Sequence, residues 1–298
     1  MNCLITGANG FLGRNIVELL IERGNSVMGI SQKNNNLSHI KQSNFHFIQN
    51  TKNNYSDIKN KILNFNPNVI IHTAWFGGNS YNDVNNLSQY TINFELGLSL
   101  LDIIKEIKSE ISFIGFGSFA EYGILNKKAI ETQIDNPNTH YGLSKSSFKC
   151  VSKMFCEQNN IKWSWVRPCY VYGSGDVAGR VIPTVITKLK NKQRITLSSC
   201  NVTIDYLHVD DFCSGIINMI DNNLDGIYNI CSGYEYNLKT ILQHLQTLNG
   251  TDLITFDPSL DRIYAPKYIC GSSEKLQSMS DWKPSKNIYT ELKKLYNE

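Results

Sequence analysis

A phenol and a primary amine stand four residues apart in Tyr141-Gly-Leu-Ser-Lys145, which puts both on one face of a helix. An ammonium beside a phenol favours the phenolate and lowers a pKa that is otherwise about 10. Such a phenol can act as general acid toward a developing alkoxide near neutral pH. Tyr55/Lys59 and Tyr289/Lys293 have the same spacing, and with 15 Tyr in the chain about one such match is expected by chance. Position selects Tyr141. It opens the helix after a strand that ends in Gly117-Ser118-Phe119-Ala120-Glu121-Tyr122-Gly123, and strand ends on that side of an open α/β sheet collect ligands. The other two pairs read as helix surface.

A second constellation is Thr6-Gly7-Ala8-Asn9-Gly10-Phe11-Leu12-Gly13. It lies between a short apolar strand ending in Leu4 and Ile5 and a helical face of Ile16, Val17, Leu19, Leu20 and Ile21. A glycine-rich turn from strand to helix lets backbone approach a pyrophosphate, whose charge the helix N-terminus favours. The plainer alternative is a tight turn that merely packs helix on strand. Its place at the first strand-helix junction favours dinucleotide binding through Gly7, Asn9, Gly10, Phe11, Leu12 and Gly13.

Positioning these groups takes alternating elements. Strands are expected at 3–5, 26–30, 45–48, 69–72, 111–116 and 163–167, and helices near 11–23, 55–65, 87–108 and 140–159. Strands separated by helix-length segments imply an α/β fold with a Rossmann-type, doubly wound parallel sheet. A dinucleotide-binding domain is expected over 1–172, with 205–231 rejoining the sheet. A smaller C-terminal substrate-binding region is expected over 173–298. Leu96, Leu98, Leu100, Leu101, Ile103, Ile104 and Ile107 make one helix apolar over more than one face. A homodimer through the helices near 87–108 and 140–159 would cover the excess.

The 298 residues, 41% hydrophobic, suffice for one large domain or two joined ones. A net charge of +3 with scattered lysines leaves no footprint for nucleic acid. Eight cysteines without CxxC spacing indicate neither a zinc site nor a disulfide framework, so no metal is expected. No apolar run is long enough to cross a bilayer, and a strand starting at Asn2 leaves no room for a signal peptide. A cytoplasmic location is expected.

Gly7, Gly10 and Gly13, then His72-Thr-Ala74, Asn93, Ser118, Tyr141/Lys145 and Arg167-Pro168…Tyr172-Gly173, continue through His208-Val-Asp-Asp211 to Asp281-Trp282-Lys283-Pro284. In order and spacing this set resembles the extended short-chain dehydrogenase/reductase family over essentially the whole chain. That family acts mostly on nucleotide-linked sugars with NAD or NADP. The resemblance implies that Tyr141 is the catalytic acid/base and that Lys145 lowers its pKa and holds the nicotinamide ribose. Ser118 would hydrogen-bond the reacting oxygen. Ala74, Asn93 and Arg167 would belong to the cofactor site, with capping inside its helix as the alternative for Asn93.

Dehydratases of that family carry an Asp-Glu pair directly after the position of Ser118. Phe119 and Ala120 stand there, and neither can exchange a proton. Glu121 comes one place late and, on strand-like alternation, would point elsewhere. At the end of the second strand an acidic residue would bind the adenosine ribose, but Ile30-Ser31-Gln32-Lys33 has none. Ser31 with Lys33 suits a 2′-phosphate, so NADP is expected, with NAD possible; the alternative for Lys33 is exposure in the Asn34-Asn35-Asn36 loop. The expected activity is NADPH-dependent reduction of the keto group of a nucleotide-activated 4-keto-6-deoxy sugar, with the proton from Tyr141. The rivals are a nucleotide-sugar epimerase using tightly bound NAD and a non-catalytic nucleotide-binding protein of this fold. Substrate contacts are expected from Trp75, Ser118, Tyr141, Tyr170, Arg180 and Arg262. Tyr170 stands where the family often has Asn, and Ile204 precedes Asp205 where it usually has Arg. Both departures remove phosphate contacts, which Arg262 or Arg180 would supply instead. Trp75 would stack on the sugar or pack inside the protein.

Overall fold

The computed structural model describes every residue except 34–35, 53, 78–83, 108 and 263–265. The chain divides into two compact units, the first made of 1–123, 134–167 and 213–228, the second of 124–133, 168–212 and 229–298.

Strand formation in the first unit follows from near-continuous apolar runs. β1 (Asn2–Thr6) and β4 (Val69–His72) are buried on both faces, as the central strands of a parallel sheet must be. With β2 (Ser26–Ser31), β3 (Phe45–Gln49), β5 (Ser112–Phe116), β6 (Lys162–Pro168) and the strand Gly226–Ile230 they make a seven-stranded sheet. Its order is Gly226–Ile230, β6, β5, β4, β1, β2, β3, and the pairings from β3 to β6 are all parallel. The chain winds outward one way through β2 and β3 and the other way through β4, β5 and β6. The reversal between β1 and β4 opens a crevice beyond their carboxyl ends, the customary ligand position of such sheets.

The helices are α1 (Phe11–Glu22), α2 (Lys59–Phe65), α3 (Ser88–Ile104) and α4 (His140–Gln158). The helix expected at 55–65 starts as a 3-10 turn at Ser56–Ile58, which turns Tyr55 into the core at 2% exposure. The helix expected to run to 108 ends at Ile104, and residue 108 lies outside the described residues. One core joins Leu4, Ile70, Phe113 and Trp165 of the sheet to Leu100, Leu101, Ile104 and Phe148 of α3 and α4. The outward side of these two helices exposes Leu98, Leu143, Val151 and Met154.

The second unit pairs Tyr170–Tyr172 with Tyr206–His208 in parallel, and Ile254–Phe256 with Ile195–Leu197. A small mixed sheet sets Thr203–Ile204 between Tyr236–Asn237 and Tyr268–Ile269. Two buried aspartates staple this unit. Asp205 accepts hydrogen bonds from Ser232 N (2.9 Å), Ser232 Oγ (2.7 Å) and Gly233 N (2.8 Å). Asp211 accepts from Ser285 N (2.9 Å), Ser285 Oγ (2.8 Å) and Lys286 N (2.8 Å), while Trp282 Nε1 donates to its carbonyl at 2.9 Å. The His208–Asp211 and Asp281–Pro284 motifs therefore hold each other. Among the described residues no helix is long and apolar enough to cross a membrane. All eight cysteines are free thiols.

Candidate active site

The turn from β1 into α1 is built backbone on backbone. Gly7 has φ 71°, and a Cβ there would stand 2.6 Å from Thr73 Oγ1 and 2.7 Å from Ala74 N. A Cβ on Gly13 would overlap the Gly7 carbonyl oxygen. Any side chain at either position would push the turn away from the 73–74 segment or from the start of α1. Gly10, the N-cap of α1, is extended and brings no capping side chain. The N–H groups of the first turn, at Phe11, Leu12 and Gly13, thus form an anion cradle. The loop after β2 is tied to this turn, because Asn36 N donates to Asn9 Oδ1 (2.9 Å) and Asn36 Nδ2 to Asn9 O (3.0 Å). These residues fit a dinucleotide pyrophosphate. Ala74 joins the same place, and Thr73 Oγ1 donates to Thr6 O at 2.8 Å. His72 shares a 2.7 Å hydrogen bond with Thr6 Oγ1. Burial, helped by the nearby Lys145 charge, pulls its pKa down to about 3, so the ring is neutral.

Ser118 lies just past β5 as the N-cap of a 3-10 turn, Phe119–Glu121. Its Oγ accepts from Ala120 N at 3.1 Å, and Glu121 Oε1 accepts from Ser118 N at 2.8 Å, completing a capping box. α4 starts at the Thr139 cap, whose Oγ1 accepts from Gly142 N at 3.1 Å. A Cβ on Gly142 would overlap the Ala120 carbonyl oxygen, so the first turn of α4 lies directly against the Ser118 turn. Tyr141 is thereby carried on the helical turn that packs against the turn capped by Ser118. Lys145, one helical turn on, is 3% exposed and donates to Phe116 O at 2.6 Å. Its Nζ sits 3.7 Å from the centre of the Trp75 ring and 5.9 Å from that of Tyr141. Burial draws the Lys145 pKa down to about 7 against the opposing pull of Glu121. A phenol and an amine with a pKa of about 7 thus stand one helical turn apart, beside the turn that carries the Ser118 hydroxyl, a set of groups able to move a proton to or from an oxygen.

The competing Tyr/Lys pairs lack this company. Tyr55 is core, and Lys59 reaches Glu106 at 2.7 Å. Tyr289 packs edge-on against His244 at 4.9 Å.

Asn93 does not cap its own helix end. Its Oδ1 accepts from Phe76 N (2.6 Å), and its Nδ2 donates to Phe76 O (3.1 Å) and Gln89 O (2.9 Å). It clamps the segment after β4, where Gln89 Oε1 also receives Trp75 Nε1 at 2.9 Å. Trp75 is accordingly half-buried and turned onto Lys145.

Two expectations need correcting. Arg167, expected at the cofactor, has no exposure: its Nε donates to Glu121 Oε2 at 2.9 Å, its Nη2 pairs with Asp135, and its plane lies 4.3 Å over the Tyr122 ring. Burial opposes this charge, but Glu121, Tyr122 and Asp135 together raise the pKa, so the guanidinium stays charged. Glu121 does not end a strand alternation; the 3-10 turn carries it inward to the same network, at 0% exposure. The capping-box spacing Ser118-x-x-Glu121 is the sequence signal that could have revealed this turn.

In the second unit Tyr170 is exposed and rests edge-on against Tyr206. Arg180 donates to Val171 O and Asp176 Oδ1, each at 3.0 Å. Arg262 is exposed, and residues 263–265 beside it lie outside the described residues. Among the described residues no cluster of His, Cys, Asp or Glu could hold a metal.

Fold and site define a nucleotide-binding oxidoreductase of the Rossmann type. The chain belongs to the NAD dependent epimerase/dehydratase family, whose model matches residues 3–231. It is 24% identical over 292 residues to dTDP-6-deoxy-L-talose 4-dehydrogenase (NAD(+)) of Aggregatibacter actinomycetemcomitans, covering 95% of this chain and 99% of that one. The UDP-glucose 4-epimerase of Thermus thermophilus, solved in complex with NAD, superposes with a TM-score of 0.89 at 21% identity, covering 100% of this chain and 98% of that one. The UDP-glucuronic acid 4-epimerase of Bacillus cereus, in complex with UDP-glucuronic acid and NAD, gives 0.90 at 21% identity over the same shares, 100% and 98%.

These likenesses overturn the expectation of NADP and of an NADPH-dependent 4-keto reductase. Both epimerase structures hold NAD, and the talose enzyme is named for NAD(+). Lys33 is exposed just past the end of β2, and exposure alone does not distinguish a phosphate ligand from an ordinary solvated lysine.

Proposed function

We propose that the protein is an NAD-dependent epimerase of a nucleotide-activated sugar, with Tyr141 as the acid/base. The observation that carries this reading is the packing of the first turn of α4 on the Ser118 turn, with the Lys145 amine buried behind both. When bound, NAD supplies the acceptor and later the donor of a hydride. The Tyr141 phenolate takes the proton from the reacting sugar hydroxyl and afterwards returns it. Ser118 Oγ holds that oxygen, and Lys145 favours the phenolate and holds the ribose of the cofactor. Gly7, Gly10 and Gly13 admit the pyrophosphate to the N–H groups of Phe11, Leu12 and Gly13, while Ala74 and Asn9 border it. Asn93 acts through the segment it clamps, including Trp75. Phe119 and Ala120 offer no acid pair for dehydration. Within the second unit Tyr170 and Arg262 are exposed, whereas Arg180 is engaged by Asp176. A homodimer through the exposed apolar sides of α3 and α4 completes the reading.

The test starts from purified protein, denatured to release whatever dinucleotide it holds. NAD is expected. Nucleotide hexoses with UDP, GDP, CDP and dTDP are then screened by NMR for inversion at one carbon. Interconversion without net change in absorbance at 340 nm supports the proposal. Stoichiometric formation of NADH would replace it with a dehydrogenase, and absence of any dinucleotide would overturn it.

A further inference from the structure

We propose that Glu121 is the positioning residue of this site: its carboxylate fixes the backbone of Ser118, two residues past the Phe116 carbonyl that receives the Lys145 amine, and sets the charge beside that amine. The inference rests on the assignment of Ser118 and Lys145 to the chemistry.

The carboxylate is fully buried and occupied from several sides. Oε1 accepts from Ser118 N at 2.8 Å, and the two oxygens share Trp165 Nε1 at 3.0 and 3.2 Å. Oε2 accepts from Arg167 Nε at 2.9 Å, and Lys149 Nζ stands 4.0 Å from it. So many donors leave it no second rotamer. Space for it is made one residue before Ser118, since a Cβ on Gly117 would overlap both Glu121 Oε1 and Trp165 Nε1. The carboxylate also grips the amide of the proposed hydroxyl donor and acts on the proposed active lysine. Through Arg167 it reaches Asp135, which binds Ser146 and Lys149 of α4. The frame therefore ties β5, β6 and α4 below the site.

The charge on Lys145 is felt by His72 of β4 and opposed by Glu121 of the turn, and its Nζ lies 5.9 Å from the centre of the Tyr141 ring. Burial pushes the Glu121 carboxyl up, opposed by Arg167 from β6, Trp165 Nε1, the amide of Ser118 and Lys149 from α4, and the 2.9 Å bond from Arg167 holds it as the carboxylate. His72 is neutral, so Glu121 is the anion that works against the burial of the lysine. Removing its charge makes Lys145 lose its proton at lower pH.

Two variants separate the roles. Glu121→Gln keeps an acceptor for Ser118 N without the charge; Glu121→Asp keeps the charge but falls short of Ser118. Both are checked for folding by thermal unfolding, and kcat and kcat/KM are followed from pH 6 to 9.5. For Glu121→Gln the alkaline limb moves down by about one unit, roughly a tenfold loss on that limb against about a twofold loss at pH 6. For Glu121→Asp the limb stays and kcat falls about tenfold or more at every pH. A folded Glu121→Gln with an unmoved limb overturns the proposal. If that variant does not fold, Glu121→Asp decides alone, and a wild-type kcat overturns it. Lys145→Met tells this failure from failure of the site assignment: if the alkaline limb of the wild type survives in it, the assignment itself is wrong.

Discussion

Replacing Arg167 with Met separates a structural arginine from a cofactor ligand. The guanidinium has no exposure and bridges Glu121 and Asp135. Removing one partner of a buried ion pair costs about 3–5 kcal/mol, because the other charge is left without compensation. The lower end applies here. Glu121 keeps Ser118 N and Trp165 Nε1, and Asp135 keeps Ser146 and Lys149. Methionine fills much of the volume without restoring any bond. At about 2–4 °C per kcal/mol for a chain of this order of size, a loss of about 3 kcal/mol lowers the melting temperature by about 6–12 °C. Circular dichroism measures that fall, and calorimetric titration with NAD at 15 °C measures cofactor affinity in the folded variant. The expected result is a lower melting temperature with NAD affinity within about threefold of wild type. An unchanged melting temperature with lost NAD binding would refute the reasoning and return Arg167 to the cofactor.

Gly7→Ala puts a Cβ against Thr73 and Ala74 in a left-handed backbone that costs about 1–2 kcal/mol for any L side chain, and NAD affinity should fall at least about tenfold by titration. Unchanged affinity would mean that the turn only packs. The Lys145 pKa is lowered by folding to about 7 from the usual lysine value, so the folded state binds fewer protons than the unfolded one between those pH values. Wild-type stability should therefore rise from pH 7 toward pH 10, and Lys145→Met should flatten that rise in urea titrations at each pH. A parallel rise in the variant would assign it to other groups. Leu98→Glu with Met154→Glu places charge on the exposed apolar sides of α3 and α4, and light scattering should then read half the wild-type mass. A wild-type protein that is already monomeric would remove the dimer from the account.

The parts of the site that the sequence made legible are local. Gly7, Gly10 and Gly13 announce themselves by spacing between a strand and a helix, and Tyr141 with Lys145 by one helical turn. The sheet was equally readable, since β1, β4 and β5 are short apolar runs set between helix-length segments. What escaped depends on side chains meeting across long separations. Arg167 was assigned by its motif, whereas its carboxylates come from positions 121 and 135 and show only when β6 lies beside β5. Glu121 was read as though the strand continued; β5 ends at Phe116 and the Ser118 cap turns the chain inward. Asn93 sits in a helix but spends its amide on Phe76 and Gln89, a target that periodicity does not reveal. The cofactor was read from Lys33, whose exposure fits a solvated loop lysine as well as a phosphate ligand.

The most direct test of the central claim compares Tyr141→Phe with wild type, each carrying the same measured content of dinucleotide. Loss of a positioned acid/base should lower kcat for sugar interconversion by about 10²–10⁴-fold, while the melting temperature and the bound dinucleotide stay as they are. Turnover within a few-fold of wild type in a Tyr141→Phe protein that holds its NAD would contradict the account.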